Sequence, residues 1–165
     1  MRKKREFAEG AFYHVTSRTN DKIRVFDNNL GRKIMLMVLQ DAKNKFRFRL
    51  ANFCIMPTHI HLLIEPGEGT NLSMIMQWIK TRSAVRWNKI HGSIDHMWGK
   101  RYFARAFKDP LEFEFVMDYI DQNPVVAIRN DSCLAAHSVK HLICYPDKTA
   151  RSPRDVSSKK LTMRP

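Results

Sequence analysis

The sequence predicts an α+β domain of the ferredoxin-like (RRM-like) kind, an antiparallel sheet with helices packed mainly on one face. Three observations carry that prediction. Segments of alternating and of helical apolar spacing follow one another as strand, helix, hairpin, helix, strand, helix. A chain of 165 residues fits one domain and leaves little room for a second. Its hydrophobic fraction of 44% can build a core and its charged fraction of 27% is ordinary, which excludes a chain disordered throughout.

Taken in order, Phe12 to Arg18 alternates Phe12, His14 and Thr16 against Tyr13, Val15 and Ser17 and is rich in β-formers, so it reads as the first strand. Asn28 or Asn29 caps a helix whose apolar positions are Leu30, Ile34, Met37 and Val38, fading by Lys43 to Lys45. Phe46 to Met56 is the second strand, Pro57-Thr58 a tight turn or bulge, and His59 to Glu65 the third strand, closed by Pro66-Gly67-Glu68-Gly69. Thr70 or Asn71 caps a long helix with Leu72, Met76, Ile79, Trp87 and Ile90 as its apolar stripe, ending at His91-Gly92. Gly99 to Phe107 reads as the fourth strand. The last helix starts at Asp109 as N-cap with Pro110 in its first turn and Glu112 three residues on. It buries Phe113, Val116, Met117 and Ile120, and Pro124 is expected to stop it.

Charge narrows the class of partner. Lys plus Arg number 29 against 16 Asp plus Glu, a net +13, and an excess of that size on a small domain suits a phosphate polymer or an anionic surface. The excess is unevenly placed: Arg2, Lys3, Lys4 and Arg5 open the chain, and the stretch after Asp147 is basic, rich in Ser and Pro and poor in apolar residues. Both ends read as solvated arms, the tail as mobile. The expected division is an arm over residues 1–9, a folded domain over 10–130 and a basic extension over 131–165. No apolar run approaches the roughly 20 residues of a membrane helix and the start lacks a signal-peptide core, so the expectation is a cytoplasmic, nucleoid-associated protein without a membrane partner. Cys54, Cys133 and Cys144 form no CxxC pair and predict reduced thiols. Trp78, Arg82, Arg86 and Lys89 share one helical face, an aromatic among cations; a packed Trp beside a solvated stripe accounts for it as well as a DNA-facing surface does.

His59-Ile60-His61 puts two imidazoles on one side of a strand, where they can chelate a divalent cation. Tyr119 and Asn123, four apart on the last helix, project a phenol and an amide from nearly one line. That pairing offers a nucleophile and a third ligand, although a structural tyrosine and a helix C-terminal asparagine would look the same.

Pro57-Thr58-His59-Ile60-His61-Leu62-Leu63, followed by Asp118-Tyr119-Ile120-Asp121-Gln122-Asn123-Pro124, resembles the single-tyrosine transposases of the His-hydrophobe-His superfamily, and within them the insertion-sequence and REP-associated branches. The His14 to Arg18 strand and the Trp98 to Phe103 stretch extend the likeness over roughly residues 10 to 130. The resemblance implies a ferredoxin-like catalytic domain acting on single-stranded DNA beside a hairpin, such as a repeated palindromic element. It implies Mg²⁺ or Mn²⁺ held by His59 and His61 with Asn123, and Tyr119 attacking the scissile phosphate to form a 5′-phosphotyrosine. Many relatives of the insertion-sequence branch carry Gln where this chain has Asn123, which is one methylene shorter. Those relatives are dimers, whereas the REP-associated branch is monomeric, so either state is open. Expected DNA contacts are Arg2, Lys3, Lys4, Arg5, Arg18, Trp78, Arg82, Arg86, Lys89, Arg101 and Arg105, with the helix face from Trp78 to Lys89 lying near the active site. The alternative reading is a non-catalytic DNA-binding protein derived from such a transposase.

Overall fold

Three side-chain caps fix where the helices begin. The Asn28 side chain accepts from the Gly31 amide at 2.8 Å, Asn71 from the Met74 amide at 2.9 Å and Asp109 from the Leu111 amide at 3.0 Å. In the computed structural model of the chain, which describes Ala8, residues 10–130 and residues 143–144, with side chains through Asn123, those caps open three helices. They are α1 (Asn29–Lys45), α2 (Leu72–His91) and α3 (Pro110–Asn130). The strands are β1 (Phe12–Arg18), β2 (Phe48–Met56), β3 (His59–Pro66), β4 (Phe103–Phe107) and the two-residue β5 (Ile143–Cys144). They form one antiparallel sheet in the order β4-β1-β3-β2-β5. The first four strands with α1 and α2 are the predicted ferredoxin-like arrangement.

Side-chain parity divides the sheet's two faces. Tyr13, Val15, Phe53, Ile55, Ile60, Leu62 and Ile64 point to one face and bury Met35, Val38, Leu39 and Ala42 of α1 with Leu72, Ile75, Met76 and Ile79 of α2. Phe12, Cys54, Met56, Leu63 and Phe107 point to the other and receive Phe113, Val116 and Ile120 of α3. Two helices therefore share one face and the third covers part of the opposite one. Cys54 fills this second core, as expected of a reduced thiol.

A β-bulge seats α3. Leu50 pairs with Ile64 and Asn52 with Leu63, leaving Ala51 as an extra residue. Both Ala51 and Asn52 thereby face α3. Buried Asn52 donates to the Asp121 carboxylate at 2.8 Å, a charge-assisted bond from strand to helix.

Several boundaries differ from expectation. Pro124 does not end α3, which continues to Asn130; a proline removes one i to i−4 bond and so kinks a helix as readily as it stops one. β4 starts at Phe103 instead of Gly99, because Trp98 and Tyr102 turn into the core, with the Trp98 indole donating to Ser83 Oγ at 2.9 Å. Leu30, Met37 and Ile90 are exposed, and α1 buries the stripe Ile34, Met35, Val38, Leu39, Ala42 in their place. Two glycines are dictated by backbone geometry. Gly92 ends α2 at φ 61°, and a Cβ on Gly31 would lie 2.0 Å from the Val25 carbonyl oxygen.

Candidate active site

Strand parity brings the site together. His61 shares the α3-facing side of the sheet with His59, and in the antiparallel register Thr16 pairs with His61 and Leu63 with His14. The His14 and His61 rings stack at 5.2 Å between centroids, and His59 meets His61 edge-on at 4.9 Å. α3 crosses this face so that the Tyr119 ring lies 5.6 Å from His14 and 5.9 Å from His61. Ile120 beside it is fully buried and anchors the helix, while Tyr119 is 46% exposed. A phenol thus stands against an imidazole cluster and remains open to solvent.

His61 is the most enclosed member. Its Nδ1 is 2.9 Å from His14 Nε2 and 3.2 Å from Thr16 Oγ1, while its Nε2 is buried with no hydrogen-bond partner. His59 Nδ1 is 3.1 Å from Thr58 Oγ1. Burial is the first cause that pushes the His61 pKa down to about 3, followed by the nearby His59, His14 and Arg18. Burial and then Arg18 lower His59 to about 4, and burial with Arg105 lowers His14. All three imidazoles are therefore neutral at pH 7, the form that ligates metals, under the positive field of two arginines that suits a phosphate.

Of the expected donors, the structure brings His59 and His61 together as neutral imidazoles, while among the described residues no group of three His, Cys, Asp or Glu side chains converges as a metal cluster. An unpartnered buried imidazole nitrogen costs free energy unless something accepts its lone pair, and His61 Nε2 is such an atom, one strand step of two residues from neutral His59. Asn123, one helical turn beyond Tyr119, donates from Nδ2 to the Tyr119 carbonyl at 3.0 Å. That bond ties the amide group back to the Tyr119 turn of the helix and leaves its Oδ1 as an acceptor.

The expected DNA contacts separate into four groups. Arg18 lies at the end of β1 opposite His59, and Arg105 on β4 lies opposite His14 and pairs with Glu112; both adjoin the site. Arg101 is exposed just before β4. The face from Trp78 to Lys89 does not adjoin it, because α2 packs on the other side of the sheet. There Arg82 lies over the Trp78 ring at 5.8 Å, Trp78 packs edge-on against Phe46, and Arg86 reaches Asp41 of α1 at 2.6 Å. Arg2, Lys3, Lys4 and Arg5 fall outside the described residues, as does the tail expected to be mobile. His14 was not among the expected site residues. Its signal was available in the sequence: it has the parity of Phe12 and Thr16 on the first strand, but only pairing of β1 beside β3 sets it against His61.

Comparison with known proteins bears on the family and the fold. Residues 8–123 match the family model described as transposase IS200-like. A Haemophilus influenzae protein assigned as a REP-associated tyrosine transposase is 24% identical over 132 residues, covering 74% of each chain. Among solved structures, a REP-associated tyrosine transposase bound to a REP hairpin aligns with a TM-score of 0.64 at 16% identity, over 84% of this chain and 89% of the other. A Deinococcus radiodurans protein assigned as a transposase aligns with a TM-score of 0.52 at 18% identity, over 74% of this chain and 97% of the other. By its strand order, its helices and the family model spanning residues 8–123, the chain belongs to the IS200-like transposases.

Proposed function

We propose that the chain cleaves and rejoins single-stranded DNA next to a hairpin, with Tyr119 as nucleophile. The observation that carries this reading is the placing of a half-exposed Tyr119 ring against the His14 and His61 rings at 5.6 and 5.9 Å. The hairpin bound by a structural relative supports the substrate class.

In this reading the phosphate enters from the open side of Tyr119, drawn by Arg18 and Arg105. The phenol loses its proton, its oxygen bonds to phosphorus, and the bond from phosphorus to the 3′ oxygen breaks. The 3′ oxygen takes up a proton, leaving a free 3′-OH and a 5′-phosphotyrosine. Attack by a 3′-OH on that linkage reverses the step and joins strands. His59, His61 and Asn123 would hold Mg²⁺ or Mn²⁺, which when bound supplies Lewis acidity at the phosphate. For Nε2 of His61 to offer its lone pair, the ring proton sits on Nδ1 and is donated to His14 Nε2, with Thr16 Oγ1 as a second neighbour. His14 is thus a positioning residue that sets the tautomer of a ligand.

The test is incubation of the protein and Mn²⁺ with labelled hairpin DNA carrying single-stranded flanks. A covalent adduct that survives denaturation is expected, lost in Tyr119→Phe while DNA binding persists. Binding that is indifferent to EDTA and to Tyr119→Phe, with no strand breakage over a range of hairpins, would instead establish a non-catalytic DNA-binding protein.

A further inference from the structure

Among the described residues β4 is an edge strand of the sheet, and edge strands are usually blunted with charge or kept short. This one is short but carries a large apolar side chain that the core does not use: Phe103 is 64% exposed. Its direction follows from register. Phe107 pairs with Phe12 and is buried under α3, Arg105 pairs with His14, and Phe103 pairs with Thr16. All three therefore point to the face that holds the imidazoles and Tyr119. α3 covers that face as far as Tyr119. Phe103 stands beyond it, about 7 Å along the strand from Arg105 at a rise of roughly 3.4 Å per residue. It adjoins Thr16, whose hydroxyl is 3.2 Å from His61 Nδ1.

Its surroundings say what would cover it. The exposed Arg105 lies on the same face of the same strand, Arg101 is two residues before it, and Arg18 is two residues beyond Thr16 on the neighbouring strand. An aromatic ring open to solvent on a stretch that also carries Arg101 and Arg105, the latter paired with Glu112, and with Arg18 near in register, complements a stacked nucleobase with its phosphates and fits an apolar protein surface less well. We propose that Phe103 is a stacking platform for an unpaired base of the DNA strand whose phosphate lies at Tyr119. It would hold the flanking strand as it leaves the hairpin and so fix which phosphate is presented. This inference rests on the single-strand reading given above and adds to it a subsite whose contact is with a base.

The experiment measures binding of a fluorescent hairpin with a single-stranded flank to wild type, Phe103→Ala and Phe103→Tyr, using flanks in which one abasic residue is moved stepwise. Phe103→Ala is expected to weaken binding roughly 5- to 150-fold, the range for losing one base–aromatic stack, and Phe103→Tyr to retain it. One abasic position should reproduce the loss in wild type and cost nothing further in Phe103→Ala. Ile94→Ala, at an almost fully exposed apolar residue in the loop after α2, serves as control and should bind as wild type does. The proposal is overturned by Phe103→Ala binding within twofold of wild type. It is equally overturned if every abasic position adds its own loss to that variant, or if Phe103→Ala converts a dimer to a monomer, which would make the ring a contact between copies. Those outcomes leave the Tyr119 adduct standing, whereas a wild type that binds no DNA removes both readings.

Discussion

At the scale of single residues the buried imidazoles govern two expected behaviours. Folding holds His59 near 4 and His61 near 3, below the roughly 6.5 of an unfolded chain. Between those values the unfolded state binds more protons, so stability rises with pH in that window. The contribution is fully present above about pH 6.5 and drains as pH falls toward 4. Thermal unfolding followed by circular dichroism should show a lower Tm at pH 4.5 than at 7.5, and His61→Gln should flatten that dependence. The second behaviour concerns His14. Replacing it with Ala frees the His61 tautomer, and a loss of about 10- to 100-fold in Mn²⁺ affinity, measured by calorimetry, is expected of such an outer partner. As candidates, His59, His61, Tyr119 and Asn123 were legible in the sequence because each belongs to a short motif. His14 was not, because its role comes from a partner 47 residues away that only the β1–β3 register supplies.

Among the elements, α3 carries the most consequence, since its seat on the sheet decides where Tyr119 points. Asn52 is its polar anchor, and Asn52→Leu would leave the Asp121 carboxylate without that donor at the edge of an apolar core. A stability loss of about 1–3 kcal/mol in urea titration is expected, with adduct formation falling further than binding does. Gly31→Ala tests the entry to α1. The new Cβ meets backbone, which cannot rotate away, so a loss of about 1–3 kcal/mol is expected, with no change in DNA binding per folded molecule. Helix caps were readable from the sequence, since Asn28, Asn71 and Asp109 act where capping chemistry places them, whereas the buried stripe of α1 was only half readable, with Leu30 and Met37 exposed. The end of α3 was not readable, because a proline's cost is weighed against the packing of the whole helix.

For the whole molecule, the net charge of +13 predicts affinity for single-stranded DNA that falls steeply with salt. The slope of log K against log salt should be about −0.7 for each phosphate neutralised. Position should matter more than total charge. Arg18→Ala and Arg105→Ala are expected to lower adduct formation at constant salt, whereas Arg86→Ala, which breaks a contact to Asp41 on the far face, should lower stability by less than about 1 kcal/mol and leave cleavage unchanged. The order of the first seven elements and their ferredoxin-like arrangement could be anticipated from the sequence. The face each helix takes could not: the basic stripe of α2 looked suited to the substrate, yet its apolar side commits it to the surface opposite the histidines.

The extra residue at Ala51 has a bearing on how such a chain can change length. Excising one residue from within a strand ordinarily inverts everything after it, sending core side chains into water. Here the strand without Ala51 would alternate regularly, with Leu50 inward on the α1 and α2 side and Asn52, Cys54 and Met56 still under α3. A deletion at this one position should therefore yield a folded, DNA-binding protein whose straightened strand no longer supports α3 at its present angle. The helix that carries Tyr119 would be shifted by a single codon loss that spares the scaffold, separating DNA binding from whatever chemistry depends on the placing of that phenol.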